Sequence, residues 1–244
     1  MKKLMLFLCI CFFVVGGTPA FAMTIDVWEV KNENISMING WIGDQHGSVH
    51  VLEDFEDIDA GWYTEKRDTG VGTFTAGGEI GKGASSYNIQ NNLKGSHKSD
   101  EAYFSIQDRD SDWYRNNMTT SEGASQWLDS GDITLLTLTL TDTSLTNLFF
   151  YIQDPADYNT TTMFVNNDAN NNYKFSHQAN KTSFFVGISW ADDEVLSTLS
   201  WATTSQSDGF GLDDFSTIQN PEPATMLLFG FGLIGIAGIT RRMI

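Results

Sequence analysis

The chain has 244 residues, of which 41% are hydrophobic and 13% aromatic, and this composition is too apolar for a disordered protein. Its 14 Lys and Arg residues against 31 Asp and Glu residues give a formal net charge of -17. Such a chain lacks the cations that neutralise a phosphate backbone, so its composition excludes a nucleic-acid partner and predicts a folded, acidic body.

The N-terminus has the layout of a secretory signal peptide. Two lysines precede an apolar run from Leu4 to Val15, and the sequence Ala20-Phe21-Ala22 follows as a cleavage site. The run is too short for a membrane span, which needs about 20 residues. We therefore expect the Sec machinery to export the chain and signal peptidase to remove residues 1–22, so that the mature chain starts near Met23.

The mature body has no thiol, because both cysteines, Cys9 and Cys11, lie inside this leader. This excludes a disulfide, a thiolate metal site and a cysteine nucleophile. The four histidines form no His-Glu-x-x-His pattern, and no serine lies in a Gly-x-Ser-x-Gly sequence. We therefore expect a nonenzymatic body. The alternative is a secreted polysaccharide hydrolase, because a glycosidase needs only two suitably spaced carboxylates.

The body contains many short runs with the pattern of β-strands. The clearest is Ile133–Leu140, which alternates leucine with threonine over several residues. No stretch sustains a helical period with a cap, and at most a turn or two is expected at Ser121–Leu128 or Asp192–Leu196. Short strands without helices between them predict a mainly β fold, an antiparallel β-sandwich of the jelly-roll type over residues 48–219. Residues 23–47 are less periodic and predict an N-terminal arm or hairpin. The other predicted strands are Ser48–Phe55, Ala102–Gln107, Leu148–Ile152, Thr161–Val165, Tyr173–Phe175, Ser183–Ile188, Leu196–Trp201 and Phe210–Ile218.

Acidic residues mark the first and the last of the strands predicted for residues 48–219. The sequences Glu53-Asp54-Phe55-Glu56-Asp57 and Ser207-Asp208-Gly209-Phe210-Gly211-Leu212-Asp213-Asp214-Phe215 resemble the opening and closing strands of exported jelly-roll domains, which often precede sorting tails or bind carbohydrate. The resemblance implies that these strands lie close together and that their carboxylates hold a structural calcium ion. Crowded carboxylates repel one another unless a hard cation or water separates them. Acidic turns that face solvent are the alternative. The implied calcium ligands are Asp54, Glu56, Asp57, Asp213 and Asp214.

Two aromatic pairs, Trp62-Tyr63 and Trp113-Tyr114, are candidates for glycan binding. Neighbouring residues of a strand point to opposite faces, so one ring of each pair should point away from the core. An exposed ring can stack on the apolar face of a sugar, while nearby Asp and Asn side chains bind the hydroxyl groups. The alternative is that these rings lie in loops or between the sheets.

The C-terminal residues 220–244 contain a second apolar segment. Its apolar run, residues 224–240, follows Pro221-Glu222-Pro223 and ends at Arg241-Arg242. Such a run, as a helix, spans about 25 Å, which predicts a short transmembrane helix. Cationic residues stay on the cytoplasmic side, so the arginines indicate that residues 23–220 lie outside the membrane.

This order of parts, a Pro-Glu-Pro triplet, a Gly-rich apolar helix and a terminal basic pair, resembles the PEP-CTERM sorting signal. The residues that carry the resemblance are Pro221, Glu222, Pro223, Arg241 and Arg242. The resemblance implies a Gram-negative bacterium that makes exopolysaccharide, in which an exosortase cleaves the tail in the inner membrane. The body would then reach the cell surface or the extracellular matrix, with exopolysaccharide as a further partner. An ordinary single-pass anchor is the alternative, but it does not account for the Pro-Glu-Pro triplet.

Overall fold

The computed structural model describes residues 23–64, 66–80, 103–107, 126–131, 133–156, 160–176, 178–191, 194–204 and 209–219. The predicted signal peptide, residues 1–22, and the predicted sorting tail, residues 220–244, lie outside the described residues. The described residues form fourteen strands and one helix. These are β1 (Thr24–Glu29), α1 (Ile35–Asp44), β2 (Ser48–Glu53), β3 (Gly61–Thr64), β4 (Lys66–Asp68), β5 (Gly72–Ile80), β6 (Tyr103–Gln107), β7 (Trp127–Asp129), β8 (Ile133–Leu140), β9 (Asn147–Gln153), β10 (Thr160–Val165), β11 (Asp168–Ser176), β12 (Ser183–Ser189), β13 (Thr198–Thr203) and β14 (Gly211–Gln219).

The strands form two antiparallel sheets. The larger sheet has the order β1-β12-β9-β14-β7-β6-β3, and β2 also pairs with β14. The smaller sheet has the order β11-β10-β13-β8-β5-β4. Neighbours that are distant in sequence, such as β2 and β14, are typical of a jelly-roll-like sandwich. The predicted mainly β, antiparallel sandwich is therefore confirmed.

One hydrophobic core fills the space between the two sheets. The alternation predicted for β8 is present, because Leu136 and Leu138 are buried and Thr139 is exposed. From the larger sheet, the ring of Phe150 on β9 stacks on Phe215 of β14 with centroids 4.8 Å apart. Strands that bury one face and solvate the other are stabilised chiefly by this apolar burial.

The expectation that the body contains no sustained helix is wrong at Ile35–Asp44. The N-cap residue Asn34 makes no side-chain capping hydrogen bond, so the local signal for a helix is weak. The helix is held instead by packing. Ile38 and Trp41 are buried in a second cluster, together with Phe149, Tyr151, Phe185 and Ile218 of the larger sheet. Tertiary packing of this kind outweighs local propensity.

Residues 23–47, expected to form an arm or hairpin, combine strand β1 with helix α1. Strand β1 pairs with β12 from Thr24, opposite Ser189, to Glu29, opposite Phe184. The indole N–H of Trp41 also donates a hydrogen bond of 3.1 Å to Asp26 of β1. The segment is therefore built into the larger sheet and its covering helix. Residues 127 and 128, expected at the end of a helical turn, lie in strand β7.

In the described part of the chain, no helix has both the length and the apolar character needed to cross a membrane. The predicted transmembrane helix, residues 224–240, lies outside that part.

Candidate functional site

Strand β14 changes its neighbour at the acidic pair Asp213-Asp214. Before the pair it runs beside β7, and after the pair it runs beside β2, where Phe215 lies opposite Glu53. The register to β9 shifts between Asp213 and Ser216, and Asp214 has a positive φ of 53°. A β-bulge bends its strand and redirects side chains, and bulges are common next to functional sites. The first and last strands of the predicted jelly roll therefore meet at this bulge.

Asp213 is fully buried at the bulge. Its Oδ1 accepts a hydrogen bond of 2.8 Å from the backbone N–H of Asp214, whereas its Oδ2 has no hydrogen-bond partner among the described residues. Burial, and then repulsion from Asp214, Glu56 and Asp54, raises the pKa of Asp213 to about 9. The carboxyl group is therefore neutral near pH 7, unless a bound cation stabilises its ionised form.

Three of the other four predicted calcium ligands lie near this carboxyl group. Asp54, Glu56 and Asp214 are close enough to Asp213 to raise its pKa, whereas Asp57 is exposed. Hydrogen bonds order the turn that follows β2. Asp54 accepts one of 3.3 Å from the backbone N–H of Glu56, and Glu56 accepts one of 2.7 Å from the backbone N–H of Gln126. The turn after β2 is thereby fixed against the start of β7.

Glu53 is a buried acidic residue that the sequence analysis did not select. Its Oε1 accepts a hydrogen bond of 2.6 Å from the backbone N–H of Phe55, and its Oε2 accepts one of 2.6 Å from that of Gly70. Burial raises the pKa of Glu53, and these two hydrogen bonds oppose the rise. Glu53 therefore ties the end of β2 to the turn before β5. Nothing in the acidic run distinguishes it from its neighbours, so the sequence held no signal for this role.

Side chains alone do not make the bulge a metal centre. Within the described ranges, no three His, Cys, Asp or Glu side chains are grouped so that they could hold a metal ion. Calcium also accepts backbone carbonyl and water oxygens, so an ion at the bulge would depend on these besides carboxylates. The assignment of calcium to Asp54, Glu56, Asp57, Asp213 and Asp214 stays a prediction.

The aromatic pair Trp62-Tyr63 lies on β3, the last strand in the order of the larger sheet. Tyr63 packs against the core and stacks on Phe104 with centroids 5.9 Å apart. Its hydroxyl group donates a hydrogen bond to the carbonyl of Asp59. Trp62 points to the opposite face of the strand and lies edge-on to Tyr103 with centroids 5.0 Å apart.

Trp62 and Tyr63 are both half-buried, but of the two only Tyr63 packs against the hydrophobic core. The second predicted pair, Trp113-Tyr114, lies outside the described residues. Glycan binding at either pair stays a prediction, and Trp62 is the better candidate within the first pair, because Tyr63 faces the core.

Comparison with known proteins identifies the tail. Residues 221–242 match the family model of the PEP-CTERM protein-sorting motif. The match covers Pro221, Glu222, Pro223, Arg241 and Arg242, the five residues predicted to carry the sorting signal. No curated protein matches the chain. The chain therefore carries a PEP-CTERM sorting motif, which begins two residues after the end of β14.

Proposed function

We propose that this protein is exported, is held in the inner membrane by its C-terminal helix, and is then cleaved by an exosortase and delivered to the cell surface or extracellular matrix. The observation that carries the proposal is the sorting motif at residues 221–242. The leader of residues 1–22 supplies the export signal, and Arg241 and Arg242 hold the end of the chain on the cytoplasmic side.

The delivered body, in this proposal, is a nonenzymatic β-sandwich. Two observations on the described acidic residues support this role over that of a hydrolase. Asp213, whose raised pKa would suit a general acid, is fully buried and cannot contact a substrate. Both carboxylate oxygens of Glu53 accept backbone hydrogen bonds. Neither group is therefore available to act on a substrate, and Glu53 instead holds the turn before β5 in place.

Binding of calcium at the bulge and of glycan at Trp62 completes the proposal. An acidic body attracts divalent cations, and the Oδ2 of Asp213 is a buried oxygen without a hydrogen-bond partner among the described residues. Exopolysaccharide is the glycan that the export route would bring into contact with the body.

The sorting step is tested by intact mass measurement of the full chain, produced in an exosortase-bearing host and in the same host without the exosortase. We expect the surface form to lack both the leader and the tail only when the exosortase is present. Replacement of Pro221 and Pro223 by alanine should leave the tail attached, because the motif is then lost. A wild-type surface form with an intact C-terminus would overturn the proposal.

The role of the body is tested by incubating the processed protein with the host's exopolysaccharide. Retention of the polysaccharide without release of reducing ends supports a binding protein. A W62A variant should retain less, with Y63F as the matched control, because Phe keeps the core-facing ring. Release of reducing ends that disappears when one carboxylate pair is replaced would establish the hydrolase instead.

A further inference from the structure

The two ends of the body leave the larger sheet at the same end. Thr24, the first residue of β1, lies opposite Ser189, and Ser189 lies opposite Asn147 of β9. The side chain of Asn147 makes two hydrogen bonds with the backbone of Ile218 on β14. The Oδ1 of Asn147 accepts one of 2.6 Å from the Ile218 N–H, and the Nδ2 of Asn147 donates one of 2.9 Å to the Ile218 carbonyl. Three strand spacings, about 14 Å, therefore separate the start of β1 from the end of β14.

The sorting motif begins almost directly at this end. Strand β14 ends at Gln219, which lies opposite Ser48 of β2, and the motif begins at residue 221. Two residues of extended chain span at most about 7 Å. A protease that binds the start of the motif must therefore come within about 7 Å of the end of the paired strands β2 and β14, provided that these strands stay folded.

The strand beside this exit exposes apolar side chains. Val49 and Val51 of β2 are 51% and 48% exposed, and Val49 lies opposite Ile218. Both valines lie in a strand that pairs, among the described strands, with β14 alone. Val195 is also 51% exposed, but it belongs to the loop before β13 in the smaller sheet. Ile35 and Met37 of helix α1 are also 41% and 46% exposed, so the valines at the exit are one of several exposed apolar sites, and Val195 is their matched counterpart in the other sheet.

We propose that Val49 and Val51 form a docking surface for the membrane-embedded protease that cleaves the tail, so that the protease binds the folded body and the motif together. This inference rests on the proposed function. The short distance between Gln219 and the motif brings the protease to this surface. A partner that covers the half-exposed valines removes apolar surface from water, which favours binding. The chain does not bring the lipid to this surface in the same way, because four residues separate Gln219 from the apolar run at Ala224.

The rate of tail cleavage tests this surface in the full-length chain, followed by pulse-chase in an exosortase-bearing host. We expect V49T/V51T to be cleaved about tenfold more slowly than the wild type, because two apolar contacts are lost. Threonine keeps the β-branched shape, so the strand is preserved. The matched control V195T should be cleaved at the wild-type rate. A flexible linker of about ten residues before Pro221 should make the cleavage rate independent of V49T/V51T.

A photo-crosslinking residue at position 49, with position 195 as the control, provides a second measurement that does not depend on the stability of the variants. Crosslinks from position 49 to the protease support the docking surface. Equal cleavage rates for V49T/V51T and the wild type, or crosslinks from position 49 to lipid alone, would overturn it. A wild-type tail that is never cleaved would instead contradict the proposed function.

Discussion

Asp213 links the stability of the body to pH, because its carboxyl group titrates differently in the folded and unfolded states. Its pKa is raised from 3.8 to about 9 on folding. The folded body therefore holds a proton that the unfolded chain releases between these values. The contribution to stability is complete below about pH 4 and is lost as the pH rises toward 9, with a slope of up to about 1.4 kcal/mol per pH unit.

Replacement of Asp213 by asparagine removes this titration while preserving the size of the side chain. In the presence of a chelator, we expect the free energy of unfolding of D213N to fall less between pH 5 and pH 8.5 than that of the wild type. Denaturant unfolding at several pH values measures this difference. The exposed Asp57 is the control, and D57N should retain the wild-type slope. Equal slopes for D213N and the wild type would mean that Asp213 is ionised in the folded body.

Calcium, if it binds at the bulge, should act against this loss of stability. A metal ligand must be deprotonated, so added calcium should raise the melting temperature more at pH 8 than at pH 5. Thermal unfolding with calcium and with a chelator measures the shift. D213N and D214N should reduce it, whereas D57N tests whether the exposed acid takes part. A shift that is unchanged in D213N and D214N would place the ion elsewhere.

Helix α1 depends on a close approach to the larger sheet at Gly187. A Cβ atom at this position would lie 2.6 Å from Cε2 of Trp41, so the helix would have to move away. We expect G187A to lower the free energy of unfolding by about 1–3 kcal/mol, as overpacking does. Chemical denaturation measures the change.

Gly43 provides the matched control for this substitution, because it lies in helix α1 itself and a Cβ atom there would have no neighbour within 4 Å. G43A should stabilise the protein by about 0.5–1 kcal/mol, since alanine favours a helix over glycine. Destabilisation by G43A, or a neutral G187A, would show that the helix does not pack on the sheet as described.

The elements differed in how far their sequence could predict them. Strands β8, β9, β12 and β14 carry apolar runs or alternation, and the predictions found them. Strand β5 was missed because its glycines, Gly72, Gly77 and Gly78, leave gaps in the pattern. Helix α1 was missed because its stability comes from contacts with distant strands, which no local period reveals.

For the site, the resemblance to jelly-roll strands predicted that the acids near Asp54 and Asp213 lie close together. Residue spacing alone could not predict this, because some 160 residues separate the two runs. The burial of Asp213 and the backbone contacts of Glu53 depend on the bulge in β14, and a bulge has no signature in one sequence. The sequence motif of the tail, in contrast, is local, and the five residues selected from it all lie in the matched range.

The excess of acidic side chains affects the stability of the whole molecule. The predicted exported part, residues 23–220, has 30 acidic and 10 basic side chains. In the described residues the ion pairs join Lys31 to Glu29 at 2.9 Å and to Glu33 at 2.7 Å, and these exposed side chains stabilise little. The predicted exported part has 20 more acidic than basic side chains, so repulsion among its carboxylates opposes folding.

Salt should relieve this repulsion. We expect the melting temperature of the processed body to rise as sodium chloride increases from about 10 mM to 150 mM, because the screening length falls from about 30 Å to 8 Å. Thermal unfolding in a chelator measures the rise, and choline chloride is the control for specific sodium binding. A melting temperature that falls with either salt would show that favourable ion pairs outweigh the repulsion.

Both ends of the body leave the larger sheet at the same rim, so attachment to the membrane would determine which part of the sandwich faces the surroundings. In the proposed membrane-attached form, we expect the opposite rim of the larger sheet, where Gln153 lies beside Ser183 and Gly211, to point away from the bilayer. An affinity tag inserted directly before Thr24 or directly after Gln219 would then lie on the membrane side of the sandwich. A tag inserted in the turn before Ser183 would project outward and stay available to antibodies on intact cells.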